Sequence, residues 1–371
     1  MVESDVHLRE VLSQHAGSAA VMVDTEFMRR NTFFPRVALV QLCFDGAADG
    51  TAWLVDPLSL TDPAPLARLL CDPDVIKVLH SPSEDLEVLQ HWLGVLPAPL
   101  FDTQRAAALL GRGFGLGYRA LVRDICAVDL PKGETRSDWL QRPLRAAQCD
   151  YAAQDVTWLL QVWQTLQQQC VQHGRLDWVL ADGRDASAVQ SGPAAEYYPR
   201  IKLAWQLDRR ELGVLRAVCR WREQTARERD KPRGWIIDDR ACLRLAQCDA
   251  RTLAALQSAA DLPPPVLRRY GRALLDLLDA QRRAPETDLP RSLPAPLDSG
   301  QRDWLRKLKK QIRGIARELD VAPEALLSSR DCELLLREVR GEIDEPPVHW
   351  SGWRAARVIA PLRQALAEAA P

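Results

Sequence analysis

No stretch of this 371-residue chain approaches the roughly eighteen consecutive apolar residues of a membrane-spanning helix, so a membrane role is not expected. The start, MVESDVHLRE, lacks a basic segment followed by an apolar one, and the expected compartment is the cytoplasm. Nine cysteines, at 43, 71, 126, 149, 170, 219, 242, 248 and 332, are odd in number, scattered and without a C-x-x-C. That pattern suits neither a zinc site nor a disulfide framework, and it fits a reducing compartment. Low-complexity tracts are missing as well. An excess of either charge is also lacking: the net charge of -1 excludes a uniformly basic nucleic-acid binder. The sum hides a local imbalance, however. Between Arg200 and Arg240 twelve Lys/Arg face seven Asp/Glu, and between Gln301 and Arg317 seven face one. The basic charge lies in the C-terminal half, where it either solvates helix faces or meets phosphates.

Composition of 47% apolar and 27% charged residues is that of a globular chain long enough for two or three cores. Two stretches rich in Pro, Gly, Ser and Ala, DGRDASAVQSGPAAEYYP and APETDLPRSLPAPLDSG, divide it. The expected units are 1–182, 200–285 and 298–371. The first mixes short apolar runs (VMVDTEF, VALVQLCF, TAWLVDP, VIKVLHS) with helical stretches, whereas the others show helical periodicity only. An α/β domain is therefore expected, followed by two small all-α domains. WREQTARERDKPRGWIIDD and LRKLKKQIRGIARELDVAPEALLSS share a helix, a break and a second helix start, so the two later units read as copies of one design.

The run VMVDTEF places Asp24 and Glu26 on one face of a strand and Val23, Thr25 and Phe27 on the other. Two neighbouring carboxylates in an apolar setting repel each other and pay for desolvation unless a cation joins them or the strand tip is solvated. In HSPSEDLEVLQHWL, Ser81 and Glu84 have capping-box spacing and Pro82 falls at the first helical position, which puts Asp85 in a first turn. An acid there suits the helix dipole on its own account, but the position also follows a buried strand, where α/β folds collect active-site groups. In QCDYAAQDVTWLLQVW, Tyr151 and Asp155 lie four residues apart on one helix face. Taken together, Asp24, Glu26, Asp85, Tyr151 and Asp155 suggest a site for hard cations, with paired metals serving phosphodiester displacement.

The stretches DTEFMRRNTFFPRVALVQL, HSPSEDLEVL, FDTQRAAALLG, KGETRSDW and CDYAAQDVTWL resemble the ribonuclease D family, within the DEDD exonucleases that carry Tyr four residues before the last Asp. The resemblance spans about residues 20 to 165. It implies a ribonuclease-H-like fold, a mixed sheet flanked by helices, and metal-dependent 3′ to 5′ hydrolysis of RNA releasing 5′-mononucleotides, with tRNA precursor 3′ ends as the usual substrate. It further implies two Mg²⁺ or Mn²⁺, with Asp24, Glu26 and Asp155 holding the one that activates water, Asp24 bridging to the second, and Asp85 orienting the waters of that second one. Tyr151 would position the attacking water, since its ordinary pKa near 10 makes it a poor base. His80 is expected to be structural. Phe27 and Phe33 are candidates to stack on terminal bases, and Lys132 and Arg136 to meet phosphates.

WREQTARERDKPRGWIIDD followed by LPPPVLRRYGRALLDLL is similar to an HRDC domain, and residues from about 301 to 371 resemble a divergent second copy. The expected protein is a monomer that uses basic helices to neutralise RNA phosphates without reading sequence. Two other readings stay open at this point. One is a non-catalytic RNA-binding scaffold that keeps the fold, and the other is an exonuclease acting mainly on DNA.

Overall fold

A computed structural model describes residues 1–46, 50–131, 133–134, 137–191, 196–343 and 345–369. Five strands form one mixed sheet: β1 (Ala20–Met28), β2 (Arg36–Phe44), β3 (Ala52–Val55), β4 (Ile76–Leu79) and β5 (Leu100–Asp102), in the order β3-β2-β1-β4-β5. β1 pairs antiparallel with β2 and β2 with β3, while β1–β4 and β4–β5 are parallel. The catalytic-looking strand is thus central. Strand β5, at LFD, is too short to stand out in the sequence.

Alternation along β1 assigns its residues to two cores. Val21 and Val23 pack with Leu8, Leu66, Leu86 and Leu89, the last two from helix α1 (Ser83–Leu93). Ala20 and Met22 pack on the opposite face against Val156, Leu159 and Leu160 of the long helix α2 (Ala146–Gln172). The parity that hides valines on one face therefore turns Asp24 and Glu26 toward α2 and Thr25 toward α1. Helix α1 begins one step later than the capping-box reading supposes. Pro82 is the cap and makes no side-chain bond, and Ser81 sits at φ 55°, its N–H donating to Asp102 at 2.9 Å instead. Asp85 still falls in the first turn.

The chain forms two compact units, not three. One contains Met1–Met28, Pro35–Ser191 and Asp298–Pro371; the other contains Arg29–Phe34 and Gly192–Leu297. The expected boundary at 182 falls within helix α3 (Leu176–Ser191). The segment from 298 onward, read from its sequence as a free-standing domain, is built into the first unit. Asp182 of α3 receives a two-nitrogen bond from Arg354 (2.5 and 2.7 Å) and another from Arg105 (3.0 and 2.7 Å). Trp178 stacks on Trp353 at 4.4 Å, and Ala322 and Ala325 join the core under α2. The sequence gives little warning of this, because ion pairs between distant segments leave no local period.

The second unit has α4 (Arg209–Arg229), a short helix Arg233–Ile236, α5 (Asp239–Gln247), α6 (Leu253–Ala260) and α7 (Pro264–Arg282) around Leu215, Val218, Cys242, Leu245, Leu256 and Leu274. Among the described residues no helix is long and apolar enough to cross a membrane.

Candidate active site

At the end of β1, one oxygen from each of Asp24, Glu26 and Asp155 lies within 4.8 Å of the others, the only such acidic or metal-ligating group among the described residues. Strand β1 supplies two of them from one face, and α2, packed on that face, supplies the third. The pairing of β1 with β2 shifts register between Glu26 and Phe27, a bulge of the kind that re-aims side chains beside active sites. Asp85 arrives from the other face. Its carboxylate accepts the Thr25 hydroxyl at 2.5 Å, so Thr25, facing away from Asp24 by parity, ties the fourth acid to β1. Thr25 was not among the expected site residues, although its place between Asp24 and Glu26 was the available signal.

The four acids cannot all be ionised cheaply. Burial, and then Asp85, Asp155 and Glu26 as charged neighbours, hold Asp24 well above the ordinary carboxylate range. Burial with Asp155 and Asp85 pushes Glu26 up to about 9. Asp155 rises to about 7 through burial, offset in part by the Tyr151 hydroxyl, and Asp85 to about 6 through burial, offset by Thr25. Converging, desolvated carboxylates fit a hard divalent cation, which would remove the repulsion that otherwise keeps protons on them. The donor set is all oxygen and is suited to Mg²⁺ or Mn²⁺ chemistry.

Tyr151 stands one helical turn from Asp155, near enough for its hydroxyl to hold that carboxyl's pKa down. Burial and the charges of Asp155, Glu26 and Asp24 raise the pKa of Tyr151 itself, so the phenol remains a donor at neutral pH. Its ring is held from two sides. Trp139 lies 6.0 Å away, and the backbone of Gly133 lies so close that an added Cβ would come within 2.0 Å of Tyr151 Cδ2 and Cε2. Only glycine allows that approach. Gly133 belongs to the KGETRSDW stretch, whose Glu134 bonds Ser137 and Arg145, the residue that caps α2.

A cleft of about 710 Å³ opens beside the acids, lined by Asp24, His80, Tyr118, Leu130, Tyr151 and Asp155 among others. His80 forms part of its wall. The Thr103 hydroxyl bridges its Nδ1 (2.9 Å) and the Leu79 carbonyl (3.2 Å), and burial lowers its pKa to about 4. The imidazole is therefore neutral and offers no positive charge to a phosphate.

The structure brings together Asp24, Glu26, Asp85, Tyr151 and Asp155, with Phe27 half-buried just past the bulge. Phe33 lies elsewhere. It is 9% exposed in the core of the second unit, with the guanidinium groups of Arg227 and Arg233 at 4.8 and 4.7 Å from its ring centre. Its proposed stacking on a terminal base is corrected accordingly, because the ring is already covered. Lys132 and Arg136 lie outside the described residues.

A mixed sheet presenting clustered acids from a central strand, with a tyrosine and an aspartate one turn apart on the covering helix, defines a metal-dependent 3′–5′ exonuclease. A 3′-5′ exonuclease family model matches residues 1–170 and an HRDC domain model matches residues 211–278. Ribonuclease D of Pseudomonas paraeruginosa is 39% identical over 99% of this chain and 97% of its own, and that of Escherichia coli 33% over 99% and 98%. The solved E. coli RNase D, described as an exoribonuclease involved in structured RNA processing, superposes with a TM-score of 0.90 at 34% identity, covering 100% of this chain and 99% of that one. The chain belongs to the ribonuclease D family of 3′–5′ exoribonucleases, which depend on divalent metal. The scaffold alternative is not favoured, since no member of the acid set has been replaced.

Proposed function

We propose that this protein removes nucleotides one at a time from the 3′ ends of structured RNAs, tRNA precursors among them, as a cytoplasmic monomer using two Mg²⁺ or Mn²⁺ ions. The observation that carries the reading is the ring of Asp24, Glu26 and Asp155 beside a protonated Tyr151. When bound there and at Asp85, divalent cations supply Lewis-acid charge and lower the pKa of water. Asp24, Glu26, Asp85 and Asp155 hold that charge in place. Tyr151, beside Asp155, orients the attacking water, and its raised pKa bars it from accepting the proton. Water adds to the terminal phosphodiester phosphorus, the bond to the preceding 3′ oxygen breaks, and a 5′-mononucleotide leaves. Phe27 is positioned at the strand end to meet the terminal base, and the cleft wall of Leu130 and Tyr118 offers apolar surface to the strand. The role of the E. coli relative in structured RNA processing and the basic C-terminal half support the substrate assignment.

The test incubates purified protein with Mg²⁺ and 5′-labelled single-stranded RNA, tRNA bearing a 3′ extension, or DNA, and follows the product ladder. Single-nucleotide shortening of RNA that disappears in Asp24→Asn and Asp155→Asn is expected. Undiminished hydrolysis in either variant would remove the acids from the mechanism, and faster DNA degradation would reassign the polymer.

A further inference from the structure

The loop joining β1 to β2 folds with the second unit, although both strands it connects belong to the first. This loop, Arg29–Phe34, is held by a socket at the end of α4. The N–H groups of Phe33 and Phe34 both donate to one oxygen of Asp230, at 2.9 and 3.0 Å. Asp230 caps α4 in the left-handed region at φ 48°, which directs its side chain away from the helix it terminates. Arg227 and Arg233 flank the Phe33 ring, and both are tied to Glu223. Thr32 Oγ1 donates to the Phe34 carbonyl at 2.7 Å, so the loop is bent before it enters the socket. Backbone, ring and charge are all engaged.

Only Phe27 and Met28 separate this loop from Glu26, so at about 3.3–3.6 Å per residue the loop begins within about 11 Å of the Glu26 Cα. The register shift falls in the same short interval. A bulge disrupts the ladder locally, so pairing with β2 alone leaves the end of β1 loosely fixed. We propose that the Phe33–Asp230 socket is a positioning device for catalysis: by gripping the β1–β2 loop, the first helical module holds the bulged end of β1 so that Glu26 stays beside Asp24 and Asp155. The module thus bears on the chemistry through the chain itself, apart from any RNA it binds. Phe33 and Asp230 are positioning residues in this scheme, and neither touches substrate.

The inference rests on the exoribonuclease reading above, and its test keeps the two apart. Asp230→Gly removes the acceptor and suits the positive φ; Asp230→Asn keeps a carbonyl oxygen and tolerates that backbone. Phe33→Ala empties the socket. Each variant is compared with the unaltered protein in hydrolysis of a short RNA oligonucleotide and, without RNA, in Mn²⁺ binding followed by electron paramagnetic resonance. Asp230→Gly and Phe33→Ala are expected to lower kcat by about tenfold or more, since displacements of about 1 Å at a reacting centre can cost on the order of a hundredfold. KM for the oligonucleotide should change little, Mn²⁺ binding should weaken, and Asp230→Asn should restore both. Circular dichroism checks folding, and if Phe33→Ala fails to fold, the two Asp230 variants decide the matter. Unchanged kcat and Mn²⁺ affinity in Asp230→Gly, with only a lower melting temperature, would overturn the proposal and leave the socket as core packing. An equal loss in Asp230→Asn would overturn the role of its oxygen. An inert unaltered protein would instead count against the exoribonuclease reading.

Discussion

In both helical modules a 21-residue helix opens on a capping box, Asp208 with Glu211 in α4 and Asp298 with Gln301 in α8 (Ser299–Leu319), and both end on an aspartate in the left-handed region, Asp230 and Asp320. A four-residue helix follows in each, Arg233–Ile236 or Pro323–Leu326, and then a further helix capped by Asp238 or Ser328. The two modules nevertheless use the turn after the long helix in different ways. In the first, the Asp230 carboxylate accepts the N–H groups of a loop borrowed from the β1–β2 hairpin. In the second, the main chain does the holding: the Asp320 carbonyl accepts Arg175 Nη1 at 3.0 Å, and the Ala322 N–H donates to the Ala108 carbonyl at 2.9 Å. A helix that ends in a left-handed residue leaves backbone groups and a short acid pointing off its axis, which makes the turn a ready docking point. The shared order of long helix, left-handed aspartate and short helix supplies this geometry, and the flanking residues choose what it grips.

The largest effect that would break the contrast concerns Asp182, which anchors the second module. Its side chain is 5% exposed, and replacement by alanine strands the buried Arg354 guanidinium. Asp182→Ala should cost about 3–5 kcal/mol in the unfolding of the first unit. Deletion of residues 298–371 should be worse, since Arg105 and Arg175 lose partners and Ala322 and Ala325 leave the core. Denaturant unfolding measures both, and a stable truncated nuclease would show that the second module is merely appended.

Metal and pH should separate the two units. An acid whose folded pKa lies above its unfolded value binds protons on folding, so its contribution to stability is lost as pH rises. For Glu26 the window runs from its ordinary value near 4.5 to about 9. In metal-free protein the first unit should therefore melt progressively lower between pH 5 and pH 9, and Mg²⁺ should restore more stability at the upper end, where protons no longer compete. The second unit has no such acid cluster among its described residues and should respond less. Glu26→Gln should raise the metal-free melting temperature at pH 8. Calorimetry with and without a chelator tests this, and a first-unit transition that rises with pH would contradict the assignment.

A smaller effect is expected from Trp353→Ala, which removes the 4.4 Å stack on Trp178. Beyond lost burial this should cost about 0.5–1.5 kcal/mol. The turnover of a short oligonucleotide should hardly change, because neither ring lines the cleft. The smallest concerns RNA affinity. In the first module Arg210 and Arg209 pair with Glu286 and Arg220 with Glu196, whereas Lys310 and Arg313 of α8 are exposed. If both modules meet RNA, replacing Lys310 or Arg313 by Gln should lower the slope of log affinity against log salt by about 0.7–0.9 for each phosphate that is no longer neutralised. Replacing Arg210 should do less, since its charge is already compensated, and equal slopes would remove the distinction.

Much of the catalytic side was legible before folding was considered. Alternation along VMVDTEF put Asp24 and Glu26 on one face, four-residue spacing put Tyr151 and Asp155 on another, and the two faces do meet. Local periodicities of 2 and 3.6 carry such information, because a buried face must be apolar except where function intervenes. Thr25 escaped notice for the same reason, since parity turned it away from the acids while the fold brought α1 and Asp85 around to it. What only the tertiary structure decided is which separated segments share a core. Phe33 reads equally well as a base-stacking ring or a packing residue, and the segment from 298 onward reads like a copy of its predecessor. Their placement depends on Asp230, Arg227, Arg233, Asp182 and Arg354, partners far away in the chain whose ion pairs and hydrogen bonds form only when loop closure has already been compensated by burial elsewhere.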